Sequence, residues 1–510
     1  MYGEEKSDSL IVAANLANNP QGAESVERRS GAKGNAEQPH MRRTQSRESM
    51  SQRLSRVREA AKQRKKERFT ALFHLLTAEA LENAFLSLSR KAAAGVDGVR
   101  WKDYAENLKV NIADLHRRLH QGSYRAQPGR RHYIPKADGK QRPLGIASLE
   151  DKIVQYALVK ILNAVYENDF MGFSYGFRPG RSQHNALDAL ATGLVRTNVN
   201  WVLDADISQF FDKVSHEWLI RFIEHRIGDQ RVIRLIRKWL TAGTSEEGEW
   251  RASEEGEWRA SEEGEWRASE EGTPQGAVIS PLLANIYLHY VFDLWAHQWR
   301  RRHATGNVVM VRYADDIVIG FDKRIDAQCF RIAMQRRLKE FGLTVHPKKT
   351  RLTEFGRFAA ENRASRGKGK PETFNFLGFT HISGKDRSGR FMLIRKTRRD
   401  RMTATLKAIK DGLRKRWHYS IPEQGKWLRR VVQGYLNYHS VPGNYPMMRK
   451  FRIYVTDLWR RALRRRSQQD DTTWTKANRL AAVWLPKVRV LHPWPVERFT
   501  ARHPRQEPGA

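Results

Sequence analysis

Val308-Val309-Met310-Val311 and Ile317-Val318-Ile319 flank the tetrapeptide Tyr313-Ala314-Asp315-Asp316. Two apolar runs on either side of so short a polar interval read as two β-strands joined by a very tight turn, with the acids at its tip. Adjacent carboxylates at the end of buried strands need a counter-charge, because unpaired they repel and one pKa rises. A divalent metal is the simplest counter-charge, and hard carboxylate oxygens suit Mg²⁺. A third carboxylate closing another apolar strand would complete a two-metal site for phosphoryl transfer. The chain offers that strand upstream, in Trp201-Val202-Leu203-Asp204-Ala205-Asp206-Ile207.

The composition points the same way. The 510 residues suffice for two to four domains, and the hydrophobic content of 40% is that of a globular protein. A net charge of +36 does not suit an enzyme of neutral small molecules; it calls for a polyanionic partner, with nucleic acid first. Half of that excess lies in residues 390–466, which hold 22 Lys or Arg against 4 Asp or Glu. Leu413, Trp417, Trp427, Val431, Val432, Tyr435, Leu436 and Tyr438 interleave there, as in helices with an apolar face on a core and cations outward. Such a surface suits an RNA or RNA–DNA backbone. Cys329 is the only cysteine, which excludes an internal disulfide and a multi-cysteine zinc site. No stretch approaches a membrane span and no secretory signal is visible, so a cytoplasmic protein without a membrane partner is expected.

Residues 1–66 read as a polar, basic extension, disordered over its first forty or so positions, with a helical RNA contact or a solvated tail equally open for Arg53–Arg68. From Leu72 the apolar positions recur at helical spacing. Ser245–Ala252 is an octapeptide that recurs as Ser253–Ala260 and Ser261–Ala268, then in part as Ser269–Gly272. Three copies of eight residues cannot bury a solenoid core. The repeat reads as a duplicated surface turn, forming a hairpin or a mobile loop, and loops tolerate such growth at small entropic cost.

Tyr313-Ala314-Asp315-Asp316 after a strand, with Asp206-Ile207 and Phe211 upstream, resembles the palm of a reverse transcriptase. Over residues 70–500 the resemblance narrows to the group II intron reverse transcriptase/maturase family. Gly95-Val96-Asp97-Gly98 is similar to that family's first N-terminal block, and Tyr133–Lys136 through Gln141–Ile146 to its fingers hairpin. Thr273-Pro274-Gln275-Gly276-Ala277 through Asn285 is the longest match; many relatives carry Gly where this chain has Ala277. Gly342–Thr350 resembles the next palm block, Phe376–Phe379 the primer-gripping hairpin, and Gly434–His439 the maturase region, or domain X. Trp484–Pro495 resembles a short DNA-binding segment.

The resemblance implies an α+β right-hand polymerase: fingers and palm over 67–385 with an antiparallel palm sheet, a helical thumb (domain X) over 386–468, and a DNA-binding tail over 469–510. No His/Cys-rich endonuclease domain is expected. Asp206, Asp315 and Asp316, with the Ile207 carbonyl, are the implied ligands of two Mg²⁺ ions. Asp206 is preferred to Asp204 because an aromatic, Phe211, follows it by five residues. Phe211 is the implied selector of dNTPs over rNTPs. Lys136 and Arg142 are implied to hold the triphosphate, and Gln275 and Gly276 to border the nascent base pair. Lys349 is implied to stand near the leaving pyrophosphate. Asp212 and His216 read as structural. Arg178 and Arg181 are candidate template contacts, and Arg414, Lys415, Arg429 and Arg430 candidate contacts to RNA. The implied activity is RNA-directed DNA synthesis, primed by DNA on intron RNA and directed to a DNA target, together with assistance to splicing. Two other readings stand beside it: a maturase that binds RNA without copying it, and a different bacterial reverse transcriptase.

Overall fold

The computed structural model describes residues 49–135, 141–245, 250–252, 258–260, 266–267, 271–466 and 472–502. Among the sequence expectations, residues 1–48 and Lys136 lie outside the described residues, and of Arg142 only the backbone is described.

In the fingers, β1 (Gly129–Pro135) and β2 (Gln141–Ile146) pair as an antiparallel hairpin. The palm strand β3 (Trp201–Asp206) follows. The two-residue strand β4 (Thr244–Ser245) runs parallel to β1. Within the octapeptide repeat, β5 (Trp250–Ala252) and β6 (Trp258–Ala260) pair with each other, and β7 (Trp266–Arg267) joins β4. The described residues of the repeat thus form an antiparallel pair, β5–β6, and a strand, β7, added to the fingers sheet, which is ordered β2-β1-β4-β7.

The palm sheet has the order β10-β3-β9-β8, antiparallel throughout, with β8 at Val308–Tyr313, β9 at Asp316–Phe321 and β10 at Arg351–Glu354. Side chains alternate across a strand. Leu203, Ala205, Ile317 and Ile319 enter the larger core on one face. Val202, Val311, Tyr313 and Val318 enter a second core on the other. A sheet covered on both sides has little use for polar side chains, which is why its strands read as near-continuous apolar runs and why each carboxylate in them stands out. The larger core is closed by the almost wholly buried helix Leu149–Tyr166 and by helices Ser280–Leu288 and Leu294–Arg302, joined by a π-helical stretch, His289–Asp293.

The second core is closed by helix Gln183–Arg196 and by a small sheet of β11 (Phe374–Phe376), β12 (Phe379–Lys385) and β13 (Phe391–Thr397). The thumb has its own core, where Leu413, Val432, Tyr435 and Leu436 are buried as their spacing predicts, from helices Arg399–Lys415, Ile421–His439 and Tyr445–Arg464.

Three boundaries differ from the sequence reading. Residues 49–66 are not an extension apart from the body: Met50–Gln63 is a helix with a Ser49–Gln52 capping box, and Met50, Leu54 and Val57 pack on the larger core. The apolar spacing from Leu72 is broken at Thr77, whose hydroxyl caps helix Ala78–Ser87. The tail does not stand free either. Helix Trp474–Trp484 contributes Ala481 to the thumb core, and helix Pro495–Arg502 returns to the palm helix Gln183–Arg196. Among the described residues no helix is long and apolar enough to cross a membrane.

Candidate active site

The site stands at the end of the palm sheet where β3, β8 and β9 finish together. Tyr313 pairs with Asp316 across the turn, leaving only Ala314 and Asp315 to reverse the chain. Ala314 has φ +55°, a backbone conformation that favours glycine. Gly176 lies directly against it, and a Cβ on Gly176 would overlap the Ala314 backbone nitrogen.

Asp206 stands opposite Asp316 in the β3–β9 register. Both side chains are buried, whereas Asp315 at the tip is half-buried. Directly opposed like charges on neighbouring strands repel. One cation is in place: Lys349 Nζ lies 3.3 Å from Asp206 Oδ2. The Gly342–Thr350 segment reaches this point by bridging Val345 to Ile207, and the His346 N–H donates to the Asp206 carbonyl at 2.7 Å. That bridge does not use the Ile207 carbonyl. Asp204 is also buried, but it pairs with Val318, two residues back from the carboxylates at the tip, which supports the choice of Asp206.

The donor set fits a hard divalent cation, being all carboxylate oxygen with a backbone carbonyl beside it. Among the described residues, no three His, Cys, Asp or Glu side chains are gathered to hold a metal ion by themselves. Asp206 and Asp316 are paired in register, and Asp315 stands at the tip of the turn beside them. Mg²⁺ commonly takes one or two carboxylates and completes its shell with substrate phosphate and water, so a preformed cage is not required.

Phe211, half-buried, lies beyond Asp206, edge-on to Phe177 with ring centroids 6.4 Å apart, and Phe177 lies 6.4 Å from Tyr313. These rings make an aromatic wall beside the carboxylates. Burial, with the Asp316 charge nearby, pushes the Tyr313 phenol up to about 12. Gln275 Nε2 donates to Asp212 Oδ1 at 3.0 Å, and the Gln275 carbonyl accepts from the Gly145 N–H at 2.7 Å. Gly276 has an internal cause for lacking a side chain: at φ +107°, a Cβ would stand 3.1 Å from the Gly145 carbonyl oxygen of the fingers hairpin. The Ala277 methyl is buried, inside this junction. His216 Nε2 lies 2.6 Å from the Gly272 carbonyl, and Asp212 accepts the Gln275 amide.

Arg178 is a correction. It is 2% exposed, its guanidinium is bonded to Glu167 and to the Met171 and Ser174 carbonyls, and it cannot reach a template. Arg181 directs its guanidinium inward to the Gly172 and Ser174 carbonyls and over the Tyr175 ring, and is only partly available. Arg414, Lys415, Arg429 and Arg430 are all exposed on the thumb.

Sequence reasoning missed the support beneath the turn. Arg312 is wholly buried and bonds Asp293, Asn285, Ser174 and the Ala314 carbonyl. A lone arginine within the apolar run Val308–Tyr313 was the available signal.

Residues 134–381 match the family model described as reverse transcriptase (RNA-dependent DNA polymerase). The chain is 35% identical over 239 residues to the group II intron-encoded protein LtrA of Lactococcus lactis subsp. cremoris, covering 46% of this chain and 37% of that protein. Residues 134–381 are thus a reverse transcriptase domain, similar to that of a group II intron-encoded protein. A second member-like relative is Protein YkfC of Escherichia coli (strain K12), 39% identical over 222 residues, which are 42% of this chain and 54% of that one. A third, the putative COX1/OXI3 intron 1 protein of Saccharomyces cerevisiae, is 25% identical over 409 residues, 67% of this chain and 46% of its own length. The chain thus spans about half, or less, of the length of these curated relatives. The reverse transcriptase match contains Asp206, Asp315, Asp316, Phe211, Gln275 and Lys349, and stops before the thumb.

Proposed function

We propose that this reverse transcriptase is an RNA-directed DNA polymerase that copies a group II intron RNA from a DNA primer and binds that RNA to assist its splicing. The observation that carries the polymerase reading is the register match of Asp206 with Asp316 at the end of a doubly covered sheet, one residue from the half-buried Asp315. Asp206, Asp315 and Asp316, with the Ile207 carbonyl, would hold two Mg²⁺ ions. Bound there, the ions supply neutralisation of the triphosphate and a lowered pKa at the primer 3′-hydroxyl.

The chain's own residues do the rest. The aromatic wall of Phe211 and Phe177 receives the sugar and leaves no room for a 2′-hydroxyl. Lys349, held beside Asp206, presents a positive charge on the side where pyrophosphate forms. Lys136 and Arg142 on the fingers hairpin bind the triphosphate. Little covalent work falls to the protein in phosphoryl transfer, so positioning and charge carry the rate. Arg414, Lys415, Arg429 and Arg430 present exposed charge to the RNA backbone.

The octapeptide repeat does not favour a binding-only protein. Its described C-terminal end is tied to the palm: the Gly272 and Thr273 N–H groups donate to the Val214 and Phe211 carbonyls, and Lys213 pairs with Glu271.

Extension of a DNA primer on an RNA template with Mg²⁺ and dNTPs tests the proposal. Asp315→Ala is expected to lower the rate about a thousandfold or more, since losing one transition-state donor already costs about 10²–10³. An active Asp315→Ala overturns the assignment of the carboxylates. No extension by either protein, with salt-sensitive RNA binding intact, favours the binding-only maturase.

A further inference from the structure

The turn that carries Asp315 and Asp316 rests on a buried ionic network that takes no part in the chemistry above. Arg312 and Asp293 are both fully buried. Arg312 Nε donates to Asp293 Oδ1 at 2.7 Å, and one of its terminal nitrogens to Asp293 Oδ2 at 2.6 Å. That same nitrogen donates to Ser174 Oγ at 2.7 Å. The other donates to Asn285 Oδ1 at 3.1 Å and to the Ala314 carbonyl at 2.9 Å. All five N–H groups of the guanidinium therefore have acceptors.

The partners come from four places. Asp293 is the last residue of the π-helical stretch, a form that recurs at functional sites. Asn285 lies about two turns earlier, and its Nδ2 donates to the Gly176 carbonyl at 2.6 Å. Ser174 belongs to the segment that bridges to Arg312 itself, with the Arg312 N–H on the Phe173 carbonyl and the Tyr175 N–H on the Arg312 carbonyl. Gly176, next along, packs on Ala314.

The Ala314 carbonyl is one end of the peptide plane whose other end is the Asp315 nitrogen. Fixing that oxygen fixes the ψ of Ala314 and the φ of Asp315, and so the direction of both carboxylates. Ala314 meanwhile holds a left-handed conformation that a non-glycine residue adopts only when its surroundings over-determine it.

We propose that Arg312 is a positioning residue of the polymerase: by gripping the Ala314 carbonyl it sets the geometry of Asp315 and Asp316 toward metal and nucleotide. The inference rests on the polymerase reading. Lysine cannot substitute. A single ammonium keeps the pairing with Asp293 but cannot also span Asn285, Ser174 and Ala314, because only the planar fork presents donors in several directions.

The test compares wild type, Arg312→Lys, the double variant Arg312→Gln/Asp293→Asn, and Ser174→Ala and Asn285→Ala, which trim the network without touching the turn carbonyl. The double variant avoids leaving a lone buried charge. Readouts are single-turnover primer extension, KM for dNTP, Kd for primer–template, melting temperature, and Mn²⁺ binding by electron paramagnetic resonance. Arg312→Lys and the double variant are expected to lose about 100-fold in kcat, the cost typical of a 1 Å misplacement, with KM and Kd within about threefold of wild type. Mn²⁺ half-saturation is expected to rise several-fold in both, and to stay unchanged in Ser174→Ala. A kcat for Arg312→Lys within threefold of wild type overturns the proposal. So does failure of both Arg312 variants to fold while the two trimmed variants fold and turn over normally, which would make the network a folding element only. If wild type extends no primer, the polymerase reading fails instead, and the Mn²⁺ arm alone decides: equal affinity in wild type and Arg312→Lys overturns the positioning role.

Discussion

Asp206 and Asp316 face each other across neighbouring strands, and Lys349 is the basic group beside Asp206. Like charges directly opposed on neighbouring strands repel, and a bound divalent cation would relieve that repulsion. Sites built for charge of the opposite sign are destabilising until it arrives. Asp316→Asn removes one of the opposed charges and leaves the Asp206–Lys349 pair intact. It is expected to raise the melting temperature in EDTA by a few degrees, and to shrink the further rise on adding Mg²⁺, while primer extension is lost. A lower melting temperature for the variant in EDTA would show that the pair is not strained. These acids were legible from sequence because a charge inside an apolar strand is conspicuous. Arg312 was conspicuous for the same reason, but its partner Asp293 lies 19 residues away on a helix whose π-turn no local pattern announces. Arg178 was misread for the converse reason. Among neighbouring basic residues it looked outward-facing, and only the fold shows Glu167 waiting beside it.

The octapeptide repeat shows how one sequence element takes two structural roles. Among the described residues, Trp250–Ala252 and Trp258–Ala260 of the first two units pair with each other as β5 and β6, whereas Trp266–Arg267 of the third, β7, pairs with β4, which holds the first unit's Ser245, and so extends the fingers sheet. The units are identical in sequence, so which copy occupies the β7 position is set by proximity to the anchored end at Glu271–Thr273. Removing residues 253–268 leaves one full unit to fill that place. A shorter connection costs little or even helps in closure entropy. The excised protein is expected to fold and to extend primers within about threefold of wild type. It sheds six Glu and two Arg, so its net charge rises by four from +36, and RNA binding at low salt should tighten. Loss of extension on excision would give the repeat an active part. The sequence left hairpin and loop open here because a period of eight is compatible with both. Pairing depends on what lies beside the segment, and that is a property of the fingers sheet.

At the scale of the molecule, thumb, palm and tail are joined by contacts between residues far apart in the chain. Tyr438 on the thumb donates to the Leu377 carbonyl at 2.9 Å, at the turn before β12. Asn444 bonds Thr397 at the end of β13. Asp188 on the palm helix takes both Arg395 and, 310 positions away, Arg498 of the tail. His492 stacks on His184 with centroids 4.0 Å apart. None of this was visible in the sequence, where a tail resembling a DNA-binding segment gave no hint of a return to the palm. The junction is rich in buried imidazoles, and burial sets their titration. Burial holds His184 well below its ordinary range, His439 at about 4, and His381, packed flat on Phe374, at about 3. His289 in the larger core is held at about 4 by the same cause. Unfolded, each takes up a proton near pH 6.5, whereas folded His289, His439 and His381 do not until about pH 4 or below, and His184 only well below its ordinary range. The unfolded chain therefore binds more protons across this window, and stability falls as pH drops through it. Asp151, pushed up to about 6 by burial, works the other way, because its folded form gains a proton first, and so do Asp97 and Asp169, which burial also raises, so these carboxyls offset part of the imidazole effect. The melting temperature is expected to decline steadily from pH 7 to pH 5. His381→Phe, which keeps a ring against Phe374 and removes one titrating group, should flatten part of that decline while leaving the value at pH 7.5 little changed. A melting temperature independent of pH over this range would mean that the imidazoles are as free to protonate folded as unfolded, and that the junctions between thumb, palm and tail are not closed to water.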